Sequence, residues 1–239
     1  MGRKFAQFGS LDRLFFNAAS RKQLLQANGK ADSLLSIAHD LSSGLAHLHA
    51  RGLLHRDLAP RNFLLNKHGR AIICDLGLAR FVDADKARCT VQESVPLPRL
   101  LHELARSSDR TVGFAADVFM LGVALAELIS GEQLAADKAA RAKWIERFRA
   151  TPATSEGVAV PAALAAAVLA CLDADEAKRP SAEQLVALLD KGVGKDELAN
   201  AARDLASACQ QLQSQSQPQQ QKPVEHKSSS DEYRPLYHA

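Results

Sequence analysis

Two apolar runs, Phe63-Leu64-Leu65-Asn66 and Ala71-Ile72-Ile73-Cys74, stand on either side of Lys67-His68-Gly69-Arg70. No other feature constrains the chain as tightly. Runs this short, parted by a polar tetrapeptide with a glycine, predict an antiparallel hairpin. A hairpin makes neighbours of its two ends, so Asn62 and Asp75 are expected side by side. The flanking segments read His55-Arg56-Asp57-Leu58-Ala59-Pro60-Arg61-Asn62 and Asp75-Leu76-Gly77. A lone Asp near an Asn is commonly a turn or a cap. Six such residues at fixed offsets across a hairpin pattern is a far more specific signal.

The residue types point to one chemistry. A carboxylate at Asp57 can orient an incoming hydroxyl and accept its proton. Asn62 and Asp75 offer the hard oxygen ligands that Mg2+ takes alongside phosphate oxygens. Phosphoryl transfer needs such positioning and charge neutralisation more than it needs covalent help. The helix ahead of the loop would anchor it: Leu34, Ile37, Ala38, Leu41, Leu45 and Leu48 recur at helical spacing from Asp32 or Ser33 to about Ala50, and Gly52 supplies the stop.

Bulk properties narrow the class. With 239 residues the chain can bury one sizeable core, and 46% hydrophobic residues suits a soluble domain. A net charge of +3 is too slight to argue for nucleic acid or a membrane surface as partner. Basic pairs such as Arg21-Lys22 and Lys178-Arg179 read as solvated faces. Cys74, Cys89, Cys171 and Cys209 match no zinc or redox spacing, which predicts reduced thiols and a cytoplasmic setting. The apolar stretch from Val158 to Leu172 is shorter than the ~18–20 residues of a membrane span and contains Pro161.

Further helices are expected from about Gly9 to Phe16 with Ser10 as N-cap, from Ala115 to Ser130 ended by Gly131, from Gln133 to about Phe148, from Pro161 to Cys171 and from Ala182 to Leu189. Composition then shifts. Glu197 to Leu212 reads as one amphipathic helix with Leu198, Ala201, Ala202, Leu205 and Leu212 on a stripe. Residues 210–221 hold eight Gln among twelve, a composition that favours disorder. The expected organisation is a globular unit over 1–190, an appended helix over 191–213 and a Gln-rich tail over 214–239.

The motif pair resembles the catalytic loop and metal-binding segment of protein kinases, H-R-D-x-x-x-x-N followed by D-F-G. Two more segments carry the likeness. Asp117-Val118-Phe119-Met120-Leu121-Gly122-Val123 is similar to the S-D-V-W-S-F-G-V helix of tyrosine-kinase-like enzymes, and Cys171 to Ser181 is similar to their C-L-x-x-D-P-x-x-R-P-S segment. The opening segment Phe5-Ala6-Gln7-Phe8-Gly9-Ser10-Leu11 resembles a kinase hinge. The resemblance implies the C-terminal lobe of a kinase, a mostly α portion of an α+β fold with short hairpins around the catalytic loop, lacking the N-lobe sheet. It implies ATP and Mg2+ as cofactors. Asp57 would be the base, Arg61 a charge stabiliser, and Asn62 and Asp75 the metal ligands. Leu64, Ala6 and Ser10 would bind the nucleotide, and Asp117 would brace the loop by accepting backbone N–H bonds. Ala59 and Arg61 lean towards tyrosine kinases while Cys171-Leu172 leans towards serine/threonine kinases, so the acceptor stays open.

The chain departs from the family where the glycine-rich loop, strand lysine and helix glutamate would stand, since no room for them precedes Phe5. Leu76 replaces the Phe of D-F-G. Counted back from Asp117, the segment expected to read P-V-K-W-M-A-P-E is Pro98 to Ala105, which costs Arg179 its glutamate unless Glu103 shifts into place. Phosphoryl transfer to a protein Ser, Thr or Tyr, impaired in this chain, is one expectation. A non-catalytic pseudokinase-like interaction module, or a truncated gene product, is the other. Partner proteins would dock through an exposed inter-lobe surface or through the 197–212 helix.

Overall fold

The computed structural model describes residues 6–26, 32–82, 88–91, 110–134, 138–191 and 194–216. Strand β1 (Gly9–Ser10) leads into helix α1 (Leu11–Phe15) and helix α2 (Ala18–Gln26). Ser10 occupies the N-cap position of α1 with an extended backbone, but its hydroxyl makes no capping bond. Helix α2 has no apolar stripe that would reveal it; a buried arginine holds it. The Arg21 guanidinium donates to the carbonyl oxygens of Leu128 and Ile129 and pairs with Glu156 at 2.6 Å. Arg21-Lys22 is therefore not a solvated face: Lys22 is exposed, whereas Arg21 is spent on the end of another helix.

Helix α3 (Asp32–His49) follows the sequence periodicity and buries Leu34, Ile37, Ala38, Leu41 and Leu45. Gly52 turns the chain at φ 71° into β2 (Leu53–Leu54). A 3-10 turn over Pro60–Asn62 then opens the hairpin of β3 (Phe63–Leu65) and β4 (Ala71–Ile73), paired antiparallel as Phe63↔Ile73, Leu64↔Ile72 and Leu65↔Ala71. β1 joins the other side of β3, with Gly9↔Leu65 and Ser10↔Leu64. Strands β5 (Arg80–Phe81) and β2 form a second small sheet, and β6 (Arg88–Thr90) and β7 (Thr111–Gly113) a third.

Helix α4 (Phe114–Ser130) is buried on nearly every side, as an all-round apolar helix must be. Gly131 ends it at φ 74°, donating its N–H to Glu127 O at 2.8 Å. Helix α5 (Lys138–Ala150) begins later than Gln133. Leu134 is held outside it, donating its N–H to Glu127 Oε1 at 2.9 Å and accepting Arg141 Nη1 at 3.0 Å. Helix α6 (Ala162–Cys171) follows Pro161, and α7 (Ala182–Asp190) starts from a Ser181/Gln184 capping box.

Helix α8 (Lys195–Ser216) extends beyond both ends of the expected 197–212 stretch. Its stripe of Leu198, Ala201, Ala202 and Leu205 is buried, and Leu198, Leu205 and Cys209 belong to the same core as α3 and α4. That stripe is thus no docking surface, because packing within the chain consumes it. The segment 217–239 lies outside the described residues, as does the 98–105 stretch aligned with P-V-K-W-M-A-P-E. The described residues are mostly helical with three small antiparallel sheets, the class expected from the sequence.

Candidate active site

One buried carboxylate fixes the loop between β2 and β3. Asp117, fully buried in the first turn of α4, accepts the backbone N–H groups of His55 and Arg56, each at 2.8 Å. His49 Nε2, at the end of α3, lies 3.0 Å from the same carboxylate. This is the bracing role that the resemblance to kinases implies for Asp117. Arg56 adopts φ 67°, a left-handed conformation that a non-glycine residue keeps only when its surroundings enforce it. The enforcement is visible: its N–H is bound to Asp117 and its Nε donates to Leu78 O at 2.7 Å. Burial lowers the Arg56 pKa, and Cys89 of β6 lies against its guanidinium.

His55 is buried and works as a spacer. Its Nδ1 accepts the Asp57 N–H at 3.3 Å, which assigns the ring proton to Nε2, and Nε2–H reaches Cys74 O at 3.0 Å. The loop is thereby tied to the far end of the hairpin. The Cys74 N–H donates to Asn62 O at 2.9 Å, so the hairpin brings the backbone of residues 62 and 74 together.

Asp57, Arg61 and Asn62 converge. Asn62 Nδ2 donates to Asp57 Oδ2 and to Asp57 O, both at 2.8 Å. Arg61 Nη2 donates to the two Asp57 carboxylate oxygens at 2.6 and 2.7 Å. Charge-assisted bonds of this length hold the carboxylate in one orientation. Asn62 is buried and rigid, while half of the Arg61 side chain is exposed, so Arg61 can leave Asp57 at little solvation cost.

Asp75 stands one residue beyond Cys74 at φ 64°, exposed, with its Oδ1 accepting the Gly77 N–H at 3.2 Å. The structure therefore places Asp57 and Asn62 in direct contact and Asp75 at the adjoining backbone position, with its carboxylate in a turn of its own. Among the described residues no cluster of three His, Cys, Asp or Glu side chains is built to hold a metal. Asn62 Oδ1 takes no hydrogen bond among the described residues, and the Asp75 carboxylate is open to solvent. One carboxamide and one carboxylate fit Mg2+, which keeps most of its waters and takes its remaining oxygens from phosphates.

The three-stranded sheet supplies a floor beside these groups. Ser10, Leu64 and Ile72 form one cross-strand row, with Phe63, Leu65 and Ala71 buried on the opposite face. Ser10 and Leu64, named separately from sequence, are register partners. Ala6 offers its carbonyl to the Gly9 N–H at 3.3 Å, closing the turn that leads into this row.

Several residues around the site escape sequence reasoning. His49 looks like a solvated helix end, and Cys74 like any apolar strand residue. Burial, with the Asp75 charge adding to it, pushes the Cys74 thiol up. Arg179 is buried and not part of a solvated pair. It donates to Asp173 O at 2.8 Å and Ala115 O at 3.1 Å, and its guanidinium sits 4.7 Å from the Phe119 ring centre.

Residues 3–189 match the sequence model of the protein tyrosine and serine/threonine kinase family, and the chain belongs to that family. Among its relatives is the mast/stem cell growth factor receptor Kit of Canis lupus familiaris, 32% identical over 164 residues, which cover 68% of this chain and 16% of that protein. A probable serine/threonine-protein kinase of Dictyostelium discoideum is 32% identical over 133 residues, covering 54% of this chain and 9% of that protein. A second from the same organism is 37% identical over 99 residues, covering 40% of this chain and 16% of that protein. The chain thus spans less than a fifth of the length of these relatives.

Proposed function

We propose that this lobe supports transfer of the γ-phosphoryl group of ATP to a hydroxyl of a protein substrate. Asp57 orients the hydroxyl and takes its proton. Arg61, released from Asp57, turns its guanidinium towards the transferring phosphoryl group. Asn62 and Asp75 would hold Mg2+, which when bound would supply positive charge to the phosphate oxygens. Leu64 lies under the adenine, Ala6 presents backbone groups to it, and Ser10 meets the ribose. His55 and Asp117 touch no reactant; they position the loop. The observation that carries this reading is the Asp57–Arg61–Asn62 cluster, held on a loop that Asp117 clamps from below.

A cytoplasmic setting is part of the proposal; no helix among the described residues is long and apolar enough to cross a membrane. Transfer of labelled phosphate from ATP-Mg to Ser-, Thr- and Tyr-bearing acceptors tests the reading and identifies the acceptor. Asp57→Asn is expected to lower the rate by roughly 10²–10⁴-fold. Equal labelling by wild type and variant would sink it. A non-catalytic interaction module is the second reading. It draws on the large apolar side chains left exposed near the site, Ile72, Leu76 and Phe81. Light scattering separates the two, since a stable monomer that labels acceptors has no need of a partner on that face.

A further inference from the structure

The family match ends at residue 189, yet the structure continues into a 22-residue helix packed beside the site. We propose that α8 is a strap that sets the nucleotide-facing sheet, and that Gln213 is the positioning residue through which it reaches the nucleotide edge. The consequence for nucleotide binding rests on the reading above; the strap itself does not.

Two contacts define it. At one end, Gln213 Nε2 donates to the Gln7 carbonyl oxygen at 2.9 Å. Gln7 lies between Ala6 and β1, and its own Oε1 accepts the Lys67 N–H at 3.1 Å, while the next N–H, of Phe8, donates to Leu65 O at 3.2 Å. The amide of Gln213 therefore holds a peptide that is already tied to the β3–β4 hairpin. At the other end, the middle of α8 lies on the hairpin turn. Gly69 takes φ 72°, and a Cβ there would overlap the Ala202 carbonyl oxygen and come within 3.1 Å of Ala206 N. Glycine is needed both for the backbone conformation and for the approach of the helix.

The hairpin and β1 are thus held between two points of one helix, beside the register partners Ser10 and Leu64. Secondary anchors fix the helix itself: Ser36 Oγ donates to Leu198 O at 3.4 Å and Gln23 Nε2 to Gln211 Oε1 at 3.4 Å. Asp40 of α3 completes the clamp from below, accepting the Ala71 N–H at 2.9 Å and Arg70 Nε at 3.0 Å. Without the Gln213 bond, the Gln7 peptide and the hinge-side backbone of Ala6 and Ser10 gain freedom that a bound nucleotide must then remove.

The full chain is tested with three variants. Gln213→Glu keeps the shape but loses the donor, Gln213→Lys keeps a donor, and Gly69→Ala disturbs the other contact. Titration with a fluorescent ATP analogue in Mg2+ is expected to give an affinity about fivefold weaker for Gln213→Glu, the weight of one net hydrogen bond, with recovery in Gln213→Lys. Hydrogen exchange, read without nucleotide, is expected to quicken in Gln213→Glu at residues 8–10 and 67, and in Gly69→Ala at 66–71, while α4 stays protected. Unchanged local exchange, or loosening spread evenly over the molecule, overturns the strap. Local loosening in the variants, together with a wild-type protein that binds no nucleotide, upholds the strap and overturns the nucleotide reading alone.

Discussion

Asp117 carries more of the site than any residue that would touch a reactant. Its carboxylate satisfies two backbone N–H groups that have no water to fall back on, and it faces His49 as well. Shortening it to alanine orphans both donors, so Asp117→Ala is expected to lower stability by about 3 kcal/mol. Urea titration measures that loss, and amide exchange at His55 and Arg56 should rise before exchange in α4. Equal protection of the two amides in variant and wild type would refute the bracing role. The cysteines give a second test at this scale. Burial pushes the thiols of Cys171 and Cys209 up to about 12, so neither ionises at neutral pH. Cys74 and Cys89 are raised too, but only half-buried. Alkylation of the native protein near pH 8 is expected to label Cys74 and Cys89 first, and all four only after denaturation; early labelling of Cys171 would contradict the packing.

At the scale of elements, what was legible follows from what a period can encode. The stripe Leu34 to Leu48 and the apolar run to Ser130 announce α3 and α4, and the glycines at 52 and 131 mark their ends because left-handed turns favour glycine. Helix α2 gives no such signal, because Arg21 anchors it through carbonyls more than a hundred residues away. The delayed start of α5 is equally non-local, set by Glu127 reaching Leu134. In the site, the hairpin that brings residues 62 and 74 together was legible, while the Asp57–Asn62 side-chain contact and the partners of His49 and Cys74 were not, since they depend on a register that no linear motif states. Gly122 shows how close α4 and α6 come: a Cβ on it would lie 2.5 Å from the Cys171 Cβ. Gly122→Ala is therefore expected to destabilise by about 1–3 kcal/mol. Thermal unfolding checks it. Since the collision is between Cβ atoms, Cys171→Ala should not rescue the variant and Cys171→Gly should do so in part.

For the molecule as a whole, Asp40 links the central helix to the hairpin and leaves a signature in the pH dependence of stability. Burial raises its pKa above 3.8, although the Ala71 N–H and the neighbouring Arg70 and His39 pull it down. A carboxyl with a raised folded pKa binds its proton more tightly folded than unfolded. Between 3.8 and the raised value the folded state holds more protons, so this residue's contribution falls as pH rises through that window and stays low above it. Asp40→Asn keeps an oxygen for the Ala71 N–H but removes the titration. The stability of wild type relative to Asp40→Asn is therefore expected to be greatest below pH 3.8 and to decline as pH rises towards neutrality. Urea titrations at matched ionic strength across that range decide it. A difference that stays constant with pH would mean that Arg70 compensates the buried charge in full, and that the core does not feel the ionisation of the residue that fastens the β3–β4 hairpin to it.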